Sequence, residues 1–142
     1  MRLSRASTYA VLATIQLSDS TASAPIPCSQ LSKLGGMPER FLLQVLRSLV
    51  NEGLLKSTRG VDGGYRLAKP LSQISLLDVV EAIDGPIQPE LPQIGGLTQQ
   101  SHRKLAETLG DVAADAKKRL SGLRLSQLKP ANATTTKARR TG

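Results

Sequence analysis

The 142-residue sequence has no Trp, one Phe and two Tyr. A core without large rings must be filled by Leu, Val, Ile and Ala, which favours helices over a β-sandwich or barrel. One Cys excludes an internal disulfide and any motif of paired Cys zinc ligands. The single His beside it leaves no metal site built wholly from protein nitrogen and sulfur. No run approaches the roughly 20 apolar residues that span a bilayer, and Met1-Arg2-Leu3-Ser4-Arg5 is not followed by an uninterrupted apolar stretch. The expectation is a soluble cytoplasmic protein with no membrane partner. No nucleophile–base pair or phosphate-cradling loop is recognisable, so enzyme chemistry is set aside, with no catalytic residue, metal or other cofactor assigned.

What is abundant is positive charge, with 19 Lys and Arg against 11 Asp and Glu and a net charge of +8. The length suits one domain, with room for an appended arm. Residues 1–100 are nearly balanced, with nine bases and eight acids, whereas residues 101–142 carry ten and three. Within the balanced part, Lys33 to Lys69 form a basic island of seven bases and three acids. Such a surplus points to a polyanion, most often nucleic acid.

The expected elements follow from caps and periodicity. Ser4 or Ser7 caps a first helix that carries Tyr9, Ala10, Ala13, Ile15 and Leu17 and ends near Asp19. Pro27 opens a two-turn helix with Leu31 and Leu34 inward, stopped by Gly35-Gly36. Pro38 then occupies the first turn of a longer helix with Phe41, Leu42, Val45, Leu46, Leu49 and Val50 at helical spacing. A short helix, a Gly-containing turn and a longer helix have the layout of a helix-turn-helix. On the face away from the stripe, Arg40, Leu43, Gln44 and Arg47 fall at i, i+3, i+4 and i+7. These include the side-chain types that read base edges and grip phosphates.

Leu54–Thr58 and Gly64–Ala68 are short alternating segments around Arg59-Gly60-Val61-Asp62-Gly63, the pattern of a hairpin. A basic hairpin directly after a helix-turn-helix is a wing able to set Arg59 against a minor groove. Ser75 and Asp78 form a capping box for a helix closed by Asp84-Gly85-Pro86. After a loop rich in Pro and Gly, a long helix from about Ser101 carries Leu105, Leu109, Val112, Ala116, Leu120 and Leu123 at three- or four-residue steps. A narrow apolar seam of this kind wants a partner, and a second copy is the simplest one. The alternative is that the seam is intramolecular core. The resulting division is a winged helix-turn-helix over 1–84, a linker over 85–100, a dimerisation helix with a short terminal helix over 101–128, and a disordered basic tail over 129–142. The fold class is mainly α with a small β-hairpin wing.

Ala10-Val11-Leu12-Ala13, the run from Pro38 to Gly53, and above all Arg59-Gly60-Val61-Asp62-Gly63-Gly64-Tyr65-Arg66-Leu67-Ala68 resemble the IscR, NsrR and CymR family of bacterial winged helix-turn-helix repressors. The likeness is close over residues 1–85 and one of layout over 86–128. It implies a homodimer that binds a palindromic operator in double-stranded DNA and responds to a cellular signal. By the same resemblance the recognition helix is Pro38–Asn51, Gln44 is similar to a base-contacting glutamine and Arg59 to the wing arginine. Gly60, Gly63 and Gly64 match family glycines. Leu43 departs from the polar residue of some members, leaving it to touch a thymine methyl or to lie on the surface. Many members hold an iron–sulfur cluster through three cysteines in the loop matching Gly85–Thr98. Here that loop has none, which resembles a cluster-less branch whose effector, a small molecule or a protein, the sequence does not name.

Several residues keep two readings. Glu39 either complements the helix start or reads cytosine. Tyr65 packs at the wing base or reaches a phosphate. Arg2, Ser4 and Arg5 contact phosphates or belong to a frayed terminus. Cys28, near a helix start, is a small half-buried residue or a thiolate switch, and His102 is a solvated helix-start residue. Two rivals to a DNA-binding regulator stand beside it: a winged-helix protein-interaction module, and a regulator responsive to metal or thiol chemistry.

Overall fold

In the computed structural model, which describes residues 1–19 and 24–130, Ser4 starts the first helix, α1 (Arg5–Ser18), by accepting a hydrogen bond from the Ser7 amide at 3.0 Å. The buried face of α1 is built from Ser7, Ala10, Ala13, Thr14 and Leu17. Small side chains at these positions let α3 and α4 pack closely against it. The buried Thr14 hydroxyl is satisfied within the helix by donating to the Ala10 carbonyl at 2.6 Å.

Pro27 caps α2 (Cys28–Gly35), and Gly36 ends it in the left-handed conformation at φ 63°. Of the two leucines expected inward, Leu31 is fully buried but Leu34 is 62% exposed. A helix of only eight residues has one face against α3, and Leu34 lies off it. Pro38 is the cap residue of α3 (Glu39–Asn51) and not part of its first turn. Leu42, Val45, Leu46 and Leu49 are buried, and Tyr9 meets Phe41 edge to face with centroids 5.5 Å apart. Each such leucine removed from water stabilises the fold by about 1.5–3 kcal/mol, so α3 anchors the core.

β1 (Leu55–Thr58) and β2 (Gly64–Leu67) pair antiparallel with Leu55 opposite Leu67 and Lys56 opposite Arg66. Ile26 adds a third pairing, its amide donating to the Tyr65 carbonyl at 2.9 Å and its carbonyl accepting from the Tyr65 amide at 2.8 Å. A 3₁₀ turn (Leu71–Gln73) leads to α4 (Leu76–Asp84), where the expected capping box of Ser75 and Asp78 forms with both hydrogen bonds present.

The last helix, α5, runs from Gln99 to Gly122 and is capped by Thr98, so it begins two residues earlier than expected. Leu123 lies beyond its end and is not part of the helical seam. Its carbonyl accepts from the Leu76 amide at 2.8 Å, and the Leu125 amide donates to the Ile74 carbonyl at 2.9 Å. A second 3₁₀ turn (Leu125–Gln127) thereby drops Leu125 into the core, fully buried. The anticipated basic tail lies outside the described residues from 131 onward. No helix among the described residues is long and apolar enough to cross a membrane.

Candidate nucleic-acid interface

Because the apolar stripe of α3 is spent on the core, its opposite face is fixed in direction. Arg40, Gln44 and Arg47 are exposed there, with Leu43 half-buried beside them. Glu39 stands exposed in the first turn, where a carboxylate complements the positive end of the helix dipole.

Between α3 and the wing runs a groove of about 470 Å³, lined by Arg47 and Asn51 on one side and Ser57, Arg59 and Tyr65 on the other. The wing loop turns on Gly60 at φ 112° and closes with the Gly63 amide donating to the Gly60 carbonyl at 3.0 Å. At Gly64 the reason for glycine is proximity, since a Cβ there would strike the Ile26 carbonyl and the Pro27 nitrogen. The third pairing of the wing therefore needs a residue without a side chain at this point. Tyr65 is half-buried, and burial, reinforced by nearby Cys28 and opposed by Arg47, pushes its hydroxyl pKa up. It remains a neutral hydrogen-bond donor at the groove wall.

Arg2 and Arg5 are exposed at the start of α1. Ser4 is engaged elsewhere: its hydroxyl donates to the Asp84 carboxylate at 2.9 Å while accepting from the Ser7 amide, and the buried Ser7 hydroxyl donates to the same carboxylate at 2.8 Å. The Ser4 hydroxyl is thus already engaged by a carboxylate at the surface. Cys28 is half-buried, the first of its two readings. Burial, with Glu39 adding to it, raises the thiol pKa, and the thiol sits 3.7 Å from the Glu39 carbonyl as a weak donor. Asn51, Ser57 and Asp84 were not among the sequence candidates. The first two carry no pattern beyond being polar at the end of a helix and in a strand, and the third acts across 80 residues of sequence.

Along α5 no residue is fully buried. Leu105, Leu109 and Val112 are 43, 38 and 60% exposed, while Ala116 and Leu120, nearer the helix end, are half-buried. His102 is half-buried in the first turn, its Nε2 3.4 Å from the Gln93 side-chain amide. Among the described residues no three of His, Cys, Asp and Glu cluster in a way that would hold a metal ion.

Comparison with known proteins adds to this geometry. Residues 3–130 match the family described as Rrf2, iron-dependent transcriptional regulator. A chain of Mycobacterium tuberculosis named as an HTH-type transcriptional regulator, Rv1287, is 35% identical over 134 aligned residues, covering 82% of this chain and 83% of that one. The HTH-type transcriptional regulator IscR of Cronobacter sakazakii is 32% identical over 122 residues, covering 86% of this chain and 74% of its own. The solved structure of CymR, the global cysteine regulator of B. subtilis, superposes with a TM-score of 0.69 at 23% identity, over 90% of this chain and 95% of that one. That last likeness is one of fold.

Proposed function

Since the chain belongs to the Rrf2 family, and so is a DNA-binding transcriptional regulator and not an enzyme, we propose that it acts as a homodimeric repressor on a palindromic operator. The observation that carries this reading is the exposed row of Arg40, Gln44 and Arg47 on a helix whose other face is wholly committed to the core. Inserted into the major groove, Gln44 pairs with a base edge, while Arg40 and Arg47 add base and phosphate contacts. The sugar-phosphate strand between the two grooves then follows the channel between α3 and the wing. Arg59 reaches the minor groove at its far side. Arg2 and Arg5 grip the backbone beside the first helix, and the cytoplasm is the compartment where such a target is found.

A second copy supplies the symmetry a palindrome requires. The exposed leucines and valine of α5 are the natural contact, pairing Leu105, Leu109 and Val112 across a two-fold axis and setting the recognition helices about 34 Å apart.

The family description names iron, and the donor set of this chain does not fit an iron–sulfur cluster. Its one thiol, Cys28, begins α2 beside the wing groove, and its one imidazole, His102, lies in the first turn of α5. The loop over 85–98 contains neither residue. Clusters need several thiolates converging on the iron, so regulation here proceeds without one.

The test is selection of bound fragments from genomic DNA, followed by fluorescence anisotropy across a salt series. A recurrent palindrome bound far above random duplex supports the reading. Uniform binding that vanishes with salt would overturn it, leaving only non-specific attraction by the basic surface.

A further inference from the structure

On the side of the wing away from the recognition helix lies a larger, open cavity of about 700 Å³, bordered by the end of α1, the wing strands and both 3₁₀ turns. We propose that this cavity binds a small organic carboxylate with an apolar body, and that the ligand bears on the wing. The volume falls within the range typical of small-molecule sites. Its floor is apolar, with Leu17, Ile26, Leu67 and Leu71, and three cations stand around it, Lys56, Arg66 and Lys129. Among the described residues no Asp or Glu lines it, and the nearest carboxylate is that of Asp19, paired with Lys129.

The arrangement of two of these cations carries the inference. Lys56 and Arg66 are direct cross-strand partners on one face of the hairpin, and like charges in that position repel and weaken the pairing. Neither forms an ion pair among the described residues, whereas Lys129 is held by Asp19 at 3.0 Å. A carboxylate seated between Lys56 and Arg66 turns the repulsion into two charge-assisted hydrogen bonds, and its apolar remainder covers the leucine floor. A DNA phosphate would satisfy the cations but leave that floor unused. The groove facing α3 shares only Tyr65 with this cavity. Ile26 and Tyr65, whose backbone pairing ties the wing to the body, both line the cavity, so occupancy acts on the wing directly.

The test is methyl NMR of the full chain titrated with linear monocarboxylates from butanoate to octanoate and with benzoate, each against its uncharged amide. Saturable shifts of Leu17, Ile26, Leu67 and Leu71 methyls by at least one carboxylate, and not by its amide, are expected. Lys56→Gln and Arg66→Gln should each weaken that binding by about tenfold, in line with the loss of one charge-assisted hydrogen bond. Arg59→Gln, on the wing loop, should leave it unchanged. Equal shifts by acid and amide, or no saturable shift across the series, would overturn the proposal. So would Lys56→Gln and Arg66→Gln variants that weaken only DNA binding and flatten its salt dependence, since the pair would then be a phosphate contact. Because the readout is ligand binding in the absence of DNA, its failure is distinguishable from failure of the operator reading.

Discussion

Helices α3 and α5 are both amphipathic, yet α3 buries four residues and α5 none. In α3 the apolar stripe meets α1, α2 and α4 of its own chain, which fixes the polar face outward with little freedom to rotate. In α5, which meets α4, Ala116 and Leu120 are only half-buried, and Leu105, Leu109 and Val112 are exposed. The lesson is that periodicity identifies an apolar face but not what covers it. A wide stripe flanked by short connections is covered internally, and a narrow seam reached through a long loop is left for another chain.

This contrast is most sharply tested by a double substitution in α5, Leu109→Asp with Val112→Asp. Sedimentation should show a monomer, and operator affinity should fall by at least about 100-fold through loss of the second half-site. A dimer that survives would mean the seam is not the contact. In α3, Leu46→Ala should lower unfolding free energy by about 2–5 kcal/mol, equally at all protein concentrations, as followed by urea denaturation. A concentration-dependent loss would erase the distinction between the two helices. On the opposite face, Gln44→Ala should cost about 1–3 kcal/mol of discrimination between operator and mismatched sites, measured by competition anisotropy. Arg59→Ala should instead weaken all sequences alike, with the salt slope reduced by about one. Ser75→Ala removes half of the capping box of α4 and should cost about 1 kcal/mol of stability.

Smallest is the effect at Cys28. Burial, with Glu39 adding to it, disfavours the charged thiolate and raises the pKa. Alkylation by iodoacetamide should be slower than for free cysteine at pH 7. It should keep rising with pH past the point where free cysteine levels off.

Much of this was legible in the sequence for identifiable reasons. Ser4, Ser75 with Asp78, and Gly36 are local signals whose chemistry acts within four residues, and the helix boundaries they mark agree with the structure. The spacing of Arg40, Gln44 and Arg47 was equally readable because a helix converts separation directly into direction. What escaped was non-local. Leu34 has helical spacing from Leu31 but is left 62% exposed, and the Ser4 hydroxyl is engaged by a carboxylate 80 residues away. The return of Leu125 to the core depends on backbone pairing with Ile74, which no side-chain pattern announces. The cavity behind the wing joins α1, the hairpin and both 3₁₀ turns, so only their assembly creates it.

That backbone stitch between the end of α5 and the start of α4 also governs how the molecule comes apart. A helix with no fully buried residue would ordinarily fray on its own, but Leu125 and two backbone hydrogen bonds fasten its last turn to the core. Opening that end therefore requires the core to open with it. Amide hydrogen exchange along α5 becomes a gradient, slowest near Leu120 and fastest near Gln99, and contact with a second copy would slow the fast end alone.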